Sequence, residues 1–281
     1  MKMQKTTLTS RQNTTVKWVT SLHDKKGRRA SHAFIAEGEK LTFEAAEAGL
    51  PITHVFVSEK RFDALSERIS AAFFTEIYAD TEIITVTDEV FEKISTEKAP
   101  QGIISVIKHL DFFKELDIIY KEDFFLKDGE RAIALCSVRD PGNIGSVIRS
   151  AVAFGAEHIV LSAVSADIYN SKTIRASMGT LFGMKIDRYS DISEAISLLR
   201  GAGRRVFAAA LQRDSIKLGS FEKQSSDCVI IGNEGHGLSE KVIEACDNTV
   251  FIPMADGVES LNAATAAAVL VWEFFGANSG R

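Results

Sequence analysis

Cysteine is scarce in this sequence. Its 281 residues include only Cys136, Cys228 and Cys246, and these have neither CxxC nor CxxxC spacing. We therefore expect no disulfide framework and no cysteine-based zinc site, and a reducing, cytoplasmic environment fits this usage. The six histidines are scattered without the spacing of metal ligands, so we expect no metal.

Long apolar runs are also missing. The longest candidate, residues 263–277, has 15 residues and contains Glu273, whereas a membrane-spanning helix needs about 20 apolar residues. The first residues lack the apolar core of a secretory signal peptide. We therefore expect a soluble protein with no membrane partner.

The overall composition is that of a globular protein, with 45% hydrophobic, 25% charged and 9% aromatic residues. This excludes disordered and fibrous classes. A chain of this length exceeds one ordinary domain, so two domains are expected.

Charge is distributed unevenly along the chain. The first 32 residues carry eight Lys or Arg and one acid, whereas the remaining residues carry 25 basic and 37 acidic side chains. Such a basic segment is typical either of a solvated tail or of an arm that binds phosphates. The arm's candidate phosphate contacts are Lys25, Lys26, Arg28 and Arg29.

Hydrophobic periodicity predicts an α/β protein in two parts. Residues 1–110 combine the basic arm with a small α/β domain, which has helices near 41–48, 65–74 and 88–95 and strands at 53–58, 82–87 and 102–108. Residues 111–130 have no clean period and are interpreted as a linker. Residues 131–281 contain apolar strands at 132–138, 158–162, 206–210, 228–231 and 250–252, with helices between them. Such continuous apolar runs predict a mostly parallel sheet.

The first strand of the second half leads into a turn and a helix. Pro141 and Gly142 form the turn, and Asn143 is a plausible N-cap. Arg149 should lie back over Gly145, near the carboxyl end of the strand. This arginine is interpreted either as a surface side chain or as a cation held at the crevice where open α/β sheets bind ligands.

Two further loops follow strands of the same half. Residues 232–237, GNEGHG, combine three glycines with Glu234 and match neither a Walker loop nor GxGxxG. The last strand leads to Ser260 and Asn262, either of which can cap the alanine-rich final helix. Each loop alone can be explained by a purely structural role, as a glycine-rich turn or as a helix cap. Three such loops at the carboxyl ends of strands together indicate a site.

Three segments in this half resemble the motifs of one family. DPGNIGSVIRSA, IGNEGHGLS and IPMADGVESLNAATAAA are similar, in order, to the motifs of the SpoU (TrmH) RNA ribose 2'-O-methyltransferases of the SPOUT superfamily. The stretch YNSKTIRASMGTLFGMKI resembles the region between the first two motifs. The N-terminal half is similar to the ribosomal-protein-like substrate-binding domain that precedes many such catalytic domains. The one departure is Ala263-Ala264, where Val-Ser is frequent.

The resemblance implies a deep trefoil knot in the catalytic domain, S-adenosylmethionine as methyl donor and a homodimer formed through the knotted domains. It implies rRNA as the substrate, with tRNA as the alternative. The family's polar active-site positions match Asn143, Arg149, Glu234, Ser260 and Asn262. The methyl donor is expected to contact Leu211, Gly232, Ile252, Met254 and Leu261. Lys172 and Arg175 are further candidates for RNA contact near the catalytic crevice.

Methylation of a ribose hydroxyl requires in-line placement and a group that takes or stabilises the departing proton. Arg149 is the family's proposed base, yet a guanidinium keeps its proton in water up to a pH of about 12. Electrostatic stabilisation of the forming alkoxide by Arg149 is the alternative role. Asn143 and Glu234 are expected to orient Arg149.

Two other functions compete with this hypothesis. A non-catalytic RNA-binding protein would have lost the polar motif residues, and all are present. A dinucleotide enzyme needs a phosphate-binding loop whose glycine spacing Gly142 and Gly145 do not provide.

Overall fold

A mixed four-stranded sheet forms the centre of the N-terminal unit in the computed structural model, which describes residues 7–110, 113–116, 129–258 and 260–276. This unit comprises Met1–Leu110 together with Asp167–Gly183. Its helices and strands are, in chain order, α1 (Thr14–Ser21), α2 (Lys25–Ser31), β1 (Ala33–Glu37), α3 (Glu39–Glu47), β2 (Ile52–Ser58), α4 (Glu59–Phe73), β3 (Glu82–Val86), α5 (Asp88–Ile94) and β4 (Ile103–Lys108). The strand order is β1-β4-β2-β3, with β4 antiparallel to both neighbours and β2 parallel to β3.

Much of the basic segment is folded, which corrects its interpretation as an arm. The side chain of Asn13 accepts hydrogen bonds from the backbone N–H groups of Thr15 and Val16 and so begins α1. Val16 and Val19 are buried in a hydrophobic cluster with residues of β1, β2 and β4. Sequence analysis also missed β1, a strand that is buried along its whole length.

Arg28 is buried, and this overturns its predicted role as a phosphate contact. Its guanidinium forms an ion pair with Asp167 and donates to the carbonyl oxygens of Leu22 and His23. Arg28 therefore stabilises the N-terminal unit. Lys25, Lys26 and Arg29 of the same helix are exposed.

The segment Asp167–Gly183 belongs to the N-terminal unit, although sequence analysis places it within 131–281. It contains α7 (Ser171–Ser177). Tyr169 stacks on Phe34 at 4.7 Å and on His109 at 4.2 Å between ring centroids, and its hydroxyl accepts a hydrogen bond from the backbone N–H of Leu110. These contacts explain why the segment clusters with residues 1–110. Most of the predicted linker, residues 111–130, lies outside the described residues.

The C-terminal unit, Asp111–Ala166 with Met184–Arg281, is built on an eight-stranded sheet. Its elements are β5 (Phe113–Leu116), β6 (Ala132–Leu135), α6 (Pro141–Ala153), β7 (His158–Ser162), β8 (Lys185–Tyr189), α8 (Ile192–Gly201), β9 (Val206–Ala209), β10 (Ile216–Lys217), β11 (Cys228–Ile231), α9 (Glu240–Ala245), β12 (Asn248–Phe251) and α10 (Ala263–Phe275).

The strand order of this sheet is β10-β12-β9-β11-β6-β7-β8-β5, and every pairing within it is parallel. Strands β6, β7 and β11 are buried along their whole length, as their continuous apolar sequences predict. The α/β fold class with a parallel sheet is therefore confirmed. The order also places β12, β9, β11 and β6 side by side, so that the loops at their carboxyl ends are neighbours.

Within the described part of the chain, no helix is both long and apolar enough to cross a membrane. The same residues contain no group of three or more His, Cys, Asp or Glu side chains that could hold a metal ion.

Candidate active site

A cleft of about 470 Å³ opens at the carboxyl ends of β9, β11 and β12 in the C-terminal unit. This is the edge of a parallel sheet at which α/β proteins bind ligands. The lining is mainly apolar side chains and backbone, and its members are Ala209, Ala210, Leu211, Ile231, Gly232, Asn233, Glu234, Gly235, Gly237, Val250, Phe251, Ile252, Met254, Ser260, Leu261, Ala263, Ala266 and Leu270.

All five residues predicted to contact a methyl donor line this cleft: Leu211, Gly232, Ile252, Met254 and Leu261. Leu211 is 75% exposed and Met254 is 41% exposed, although both are large apolar residues. Apolar side chains left open on a cleft wall are suited to cover a flat apolar group such as an adenine ring. The cleft therefore has the size and lining for a nucleoside-type ligand.

The loop after β11 is closed on itself and has no room for a side chain at Gly232. A Cβ at this position would lie 2.4 Å from the carbonyl carbon of Gly237. Asn233 and Gly237 exchange backbone hydrogen bonds of 3.1 and 2.9 Å, and Gly237 has a φ of 63°. Gly232 and Gly237 are thus required for a tight turn that brings backbone groups to the cleft.

Asn143 lies inside α6 and does not cap it. The N-cap is Asp140, whose side chain accepts a 2.9 Å hydrogen bond from the backbone N–H of Asn143, and Pro141 begins the helix. The predicted capping role of Asn143 is therefore wrong. Because its side chain is not needed for capping, the Asn143 Nδ2 donates a 2.6 Å hydrogen bond to Oε1 of Glu234.

Asn262 joins a third loop to this pair. Its Oδ1 accepts a 2.8 Å hydrogen bond from the backbone N–H of Ala264, so Asn262 is the N-cap of α10. Its Nδ2 donates a 3.2 Å hydrogen bond to Oδ1 of Asn143. Asn262, Asn143 and Glu234 thus form one chain of hydrogen bonds that joins the start of α10, the first turn of α6 and the loop after β11. Ser260 lines the cleft nearby.

Arg149 is exposed on α6. Among the residues that the structure describes, it has no hydrogen-bond or ion-pair partner, so Asn143 and Glu234 do not hold it here as sequence analysis expected. The guanidinium is therefore an uncompensated cation on the same helix as Asn143, which suits it to bind an anionic group.

The predicted RNA contacts lie in the N-terminal unit. Arg175 forms a 2.7 Å ion pair with Glu97 and donates to the hydroxyl of Thr96 at 2.9 Å. Lys172 is exposed in the first turn of α7. The exposed cations of α2 are Lys25, Lys26 and Arg29.

Sequence analysis missed Asn233. The Oδ1 of this side chain accepts hydrogen bonds from the backbone N–H groups of Gly235 and His236, at 2.8 and 3.3 Å. Its Nδ2 donates to the carbonyl oxygen of Ser137 at 3.0 Å and to Oε2 of Glu234 at 3.2 Å. Its position between Gly232 and Glu234 was the only signal in the sequence.

Two family models match the chain. The model of the SpoU rRNA Methylase family matches residues 130–272, just over half of the chain. The model of the MRM3-like substrate binding domain matches residues 13–105.

Curated relatives extend the similarity over nearly the whole chain. The 23S rRNA (guanosine(2553)-2'-O)-methyltransferase RlmP of Bacillus subtilis is 29% identical over 267 residues, which cover 95% of this chain and 98% of the relative. The 23S rRNA (uridine(2479)-2'-O)-methyltransferase of Streptomyces viridochromogenes is 28% identical over 95% of this chain and 90% of the relative.

A solved structure has the same fold. The AdoMet-bound rRNA methyltransferase from Sinorhizobium meliloti superposes with a TM-score of 0.81 at 28% identity, covering 98% of this chain and 99% of the other.

Proposed function

Because the chain belongs to the SpoU rRNA Methylase family, we propose that it transfers a methyl group from S-adenosylmethionine to a ribose 2'-hydroxyl of ribosomal RNA. The observation that carries this function is the hydrogen-bonded chain of Asn262, Asn143 and Glu234 beside the cleft. All three residues and the cleft lie within the matched segment.

The donor would be held by the cleft. Backbone groups of Gly232, Ile252 and Leu261 would orient its polar parts, and Leu211 and Met254 would cover its apolar surface; the support is that all five residues line the cleft. Bound S-adenosylmethionine supplies an electrophilic methyl group on a sulfonium.

Arg149 would act on the acceptor. Its guanidinium, without a partner among the described residues, is available to the forming alkoxide and to a neighbouring phosphate. The alternative is that Arg149, after giving up its own proton, takes the proton of the 2'-hydroxyl as a general base. Asn143 and Glu234 would then hold the acceptor ribose and the loops around it, and Ser260 and Asn262 would shape the donor pocket.

The N-terminal unit would bind the RNA. The support is the match of residues 13–105 to a substrate-binding domain and the exposed basic residues of α2. Ribosomal RNA is favoured over tRNA because the two curated relatives are named for 23S rRNA.

The decisive experiment incubates purified protein with tritiated S-adenosylmethionine and either deproteinised 23S rRNA or bulk tRNA. We expect label in 23S rRNA, at a single position that alkaline hydrolysis mapping identifies as a 2'-O-methyl ribose. Label in tRNA alone would assign the alternative substrate, and label on a base would exclude ribose methylation.

We also propose that the active form is a homodimer with a trefoil knot in each C-terminal unit. The support on this chain is an exposed aromatic side chain on α10: Trp272 is 50% exposed and packs edge to face against Phe154, the residue after α6, at 5.3 Å between ring centroids. A second copy covering Trp272 would bury this side chain. Light scattering at micromolar concentration should give twice 30.8 kDa; an active monomer would exclude the dimer.

We propose the cytoplasm as the location. The free thiols of Cys136, Cys228 and Cys246 suit a reducing compartment.

A further inference from the structure

Both carboxylate oxygens of Glu234 are held by asparagine side chains. Oε1 accepts from Asn143 at 2.6 Å and Oε2 accepts from Asn233 at 3.2 Å. Glu234 is exposed, and a donor on each oxygen orients its carboxylate. Asn143 reaches Glu234 from α6, whereas Asn233 is its neighbour in the loop after β11.

Asn233 also joins this loop to the one after β6. Its Nδ2 donates to the carbonyl oxygen of Ser137, which has a φ of 60° in the left-handed region that residues other than glycine rarely adopt. The backbone N–H of Ser137 donates to the hydroxyl of Ser162 at 2.8 Å. Hydrogen bonds on both sides of Ser137 hold this costly conformation, and α6 begins only four residues later.

The other end of the Asn233 side chain shapes its own loop. The Oδ1 accepts from Gly235 and His236, which keeps the turn closed between Gly232 and Gly237. The amide therefore has two separable functions: its oxygen shapes the turn that lines the cleft, and its nitrogen positions Glu234 and the turn before α6.

We propose that Asn233, which also lines the cleft, is a positioning residue for methyl transfer that acts through Glu234 and Ser137. The inference rests on the proposed function, because the step that it supports is methyl transfer to RNA. According to this proposal, the side-chain NH₂ group of Asn233 affects the rate of methyl transfer, whereas its side-chain oxygen does not.

The test replaces Asn233 by Asp and by Ala. Asn233→Asp keeps the oxygen for Gly235 and His236 but loses the N–H donor, so the dissociation constant for S-adenosylmethionine, measured by calorimetry, should stay within about threefold. Losing a hydrogen bond to a charged group should lower kcat about 10- to 100-fold, with KM for RNA little changed. Asn233→Ala loses both functions and should weaken donor binding as well.

Asn13→Asp is a matched control. Asn13 also uses its Oδ1 to accept from two backbone N–H groups, those of Thr15 and Val16, at 2.8 and 3.4 Å, but it lies in the N-terminal unit. This variant introduces the same charge and should keep the wild-type kcat. An Asn233→Asp enzyme with wild-type kcat, or with donor affinity and kcat reduced in parallel, would overturn the proposal.

A second measurement does not depend on activity. Asn233→Asp places a second carboxylate beside Glu234 and should lower the Tm, and adding Glu234→Gln should recover the loss because the new amide can donate to Asp. If the Tm change of the double variant equals the sum of the changes in Asn233→Asp and Glu234→Gln, the two side chains do not interact and the proposal is wrong. If the wild-type protein does not methylate RNA but the Tm changes of the two substitutions are non-additive, the proposed function is wrong, whereas the contact between Asn233 and Glu234 is confirmed.

Discussion

Arg28 and Asp167, 139 residues apart in the sequence, form a 2.7 Å ion pair in which only 4% of the Arg28 side chain is exposed. Removing one partner of a buried pair leaves the other charge uncompensated, and because 17% of the Asp167 side chain is exposed we expect a cost of about 2 to 3 kcal/mol here. Arg28→Ala should therefore lower the free energy of unfolding of the N-terminal unit by about that amount, as measured by urea denaturation. Lys26→Ala, on the exposed side of α2, should change it by less than about 0.5 kcal/mol.

Arg149→Ala should abolish methyl transfer and leave the affinity for S-adenosylmethionine within a few-fold of wild type. The reason is that the guanidinium is assigned to the acceptor and does not line the cleft. Arg149→Lys keeps a positive charge without the planar fork and should recover only part of the rate. Single-turnover kinetics and calorimetry on the same preparations provide the check; equal loss of binding and rate would contradict the assignment.

Neutralising Lys25, Lys26 and Arg29 should lower the slope of log RNA affinity against log salt concentration by about 2 to 3, since each phosphate contact contributes about 0.7 to 0.9. Arg28 is left intact because it is buried. The single-turnover rate at saturating RNA should hardly change, because phosphate contacts position the substrate without entering the chemical step. An unaltered slope would mean that α2 is only a solvated surface.

Asn262→Ala should weaken both the helix and the site. Loss of the N-cap costs about 1 kcal/mol of stability, and loss of the bond to Asn143 should reduce kcat and donor affinity. Asn262→Asp keeps the cap on α10 but loses the donated hydrogen bond, so it should keep stability and still reduce kcat. If both variants keep the wild-type rate and the wild-type affinity for S-adenosylmethionine, Asn262 serves only as the N-cap of α10.

The thiols should be inert in the folded protein. Burial raises the pKa of both Cys228 and Cys246 from 9.0 to about 12, so that only about one thiol in 10⁴ is ionised at pH 8. A chromogenic disulfide reagent should therefore react with them only after denaturant is added. Because folding favours the protonated thiols, their contribution to stability is complete below pH 9 and is lost as the pH rises towards 12. Rapid labelling of either residue in native protein at pH 8 would contradict this.

The sequence by itself determined five of the eight strands of the parallel sheet, β6, β7, β9, β11 and β12, and the positions of its three polar loops, but not β5, β8 or β10. Apolar runs such as those of β7 and β11 are local patterns, and they need no knowledge of the rest of the chain. The three motifs can also be read directly from the sequence, and their resemblance to the family predicted the five cleft residues expected to hold the methyl donor.

Only the tertiary structure decided how those loops are joined. The contact of Asn143 with Glu234 spans 91 residues, and that of Asn262 with Asn143 spans 119. No periodicity of 2 or 3.6 residues encodes a pairing over such separations. The sequence offers two good capping residues three positions apart, Asp140 and Asn143, and only the structure shows that Asp140 is the N-cap.

The burial of Arg28 likewise could not be predicted from the sequence. In the sequence it is one of four cations in a basic run, and nothing distinguishes it from Lys25 or Lys26. It is buried because Asp167, brought by a segment far along the chain, compensates its charge and two backbone carbonyl groups accept its remaining hydrogen bonds. The sequence determined which residues are charged, and the fold alone decided which charges have partners, because burying a charge is stable only where an opposite charge has been brought to it.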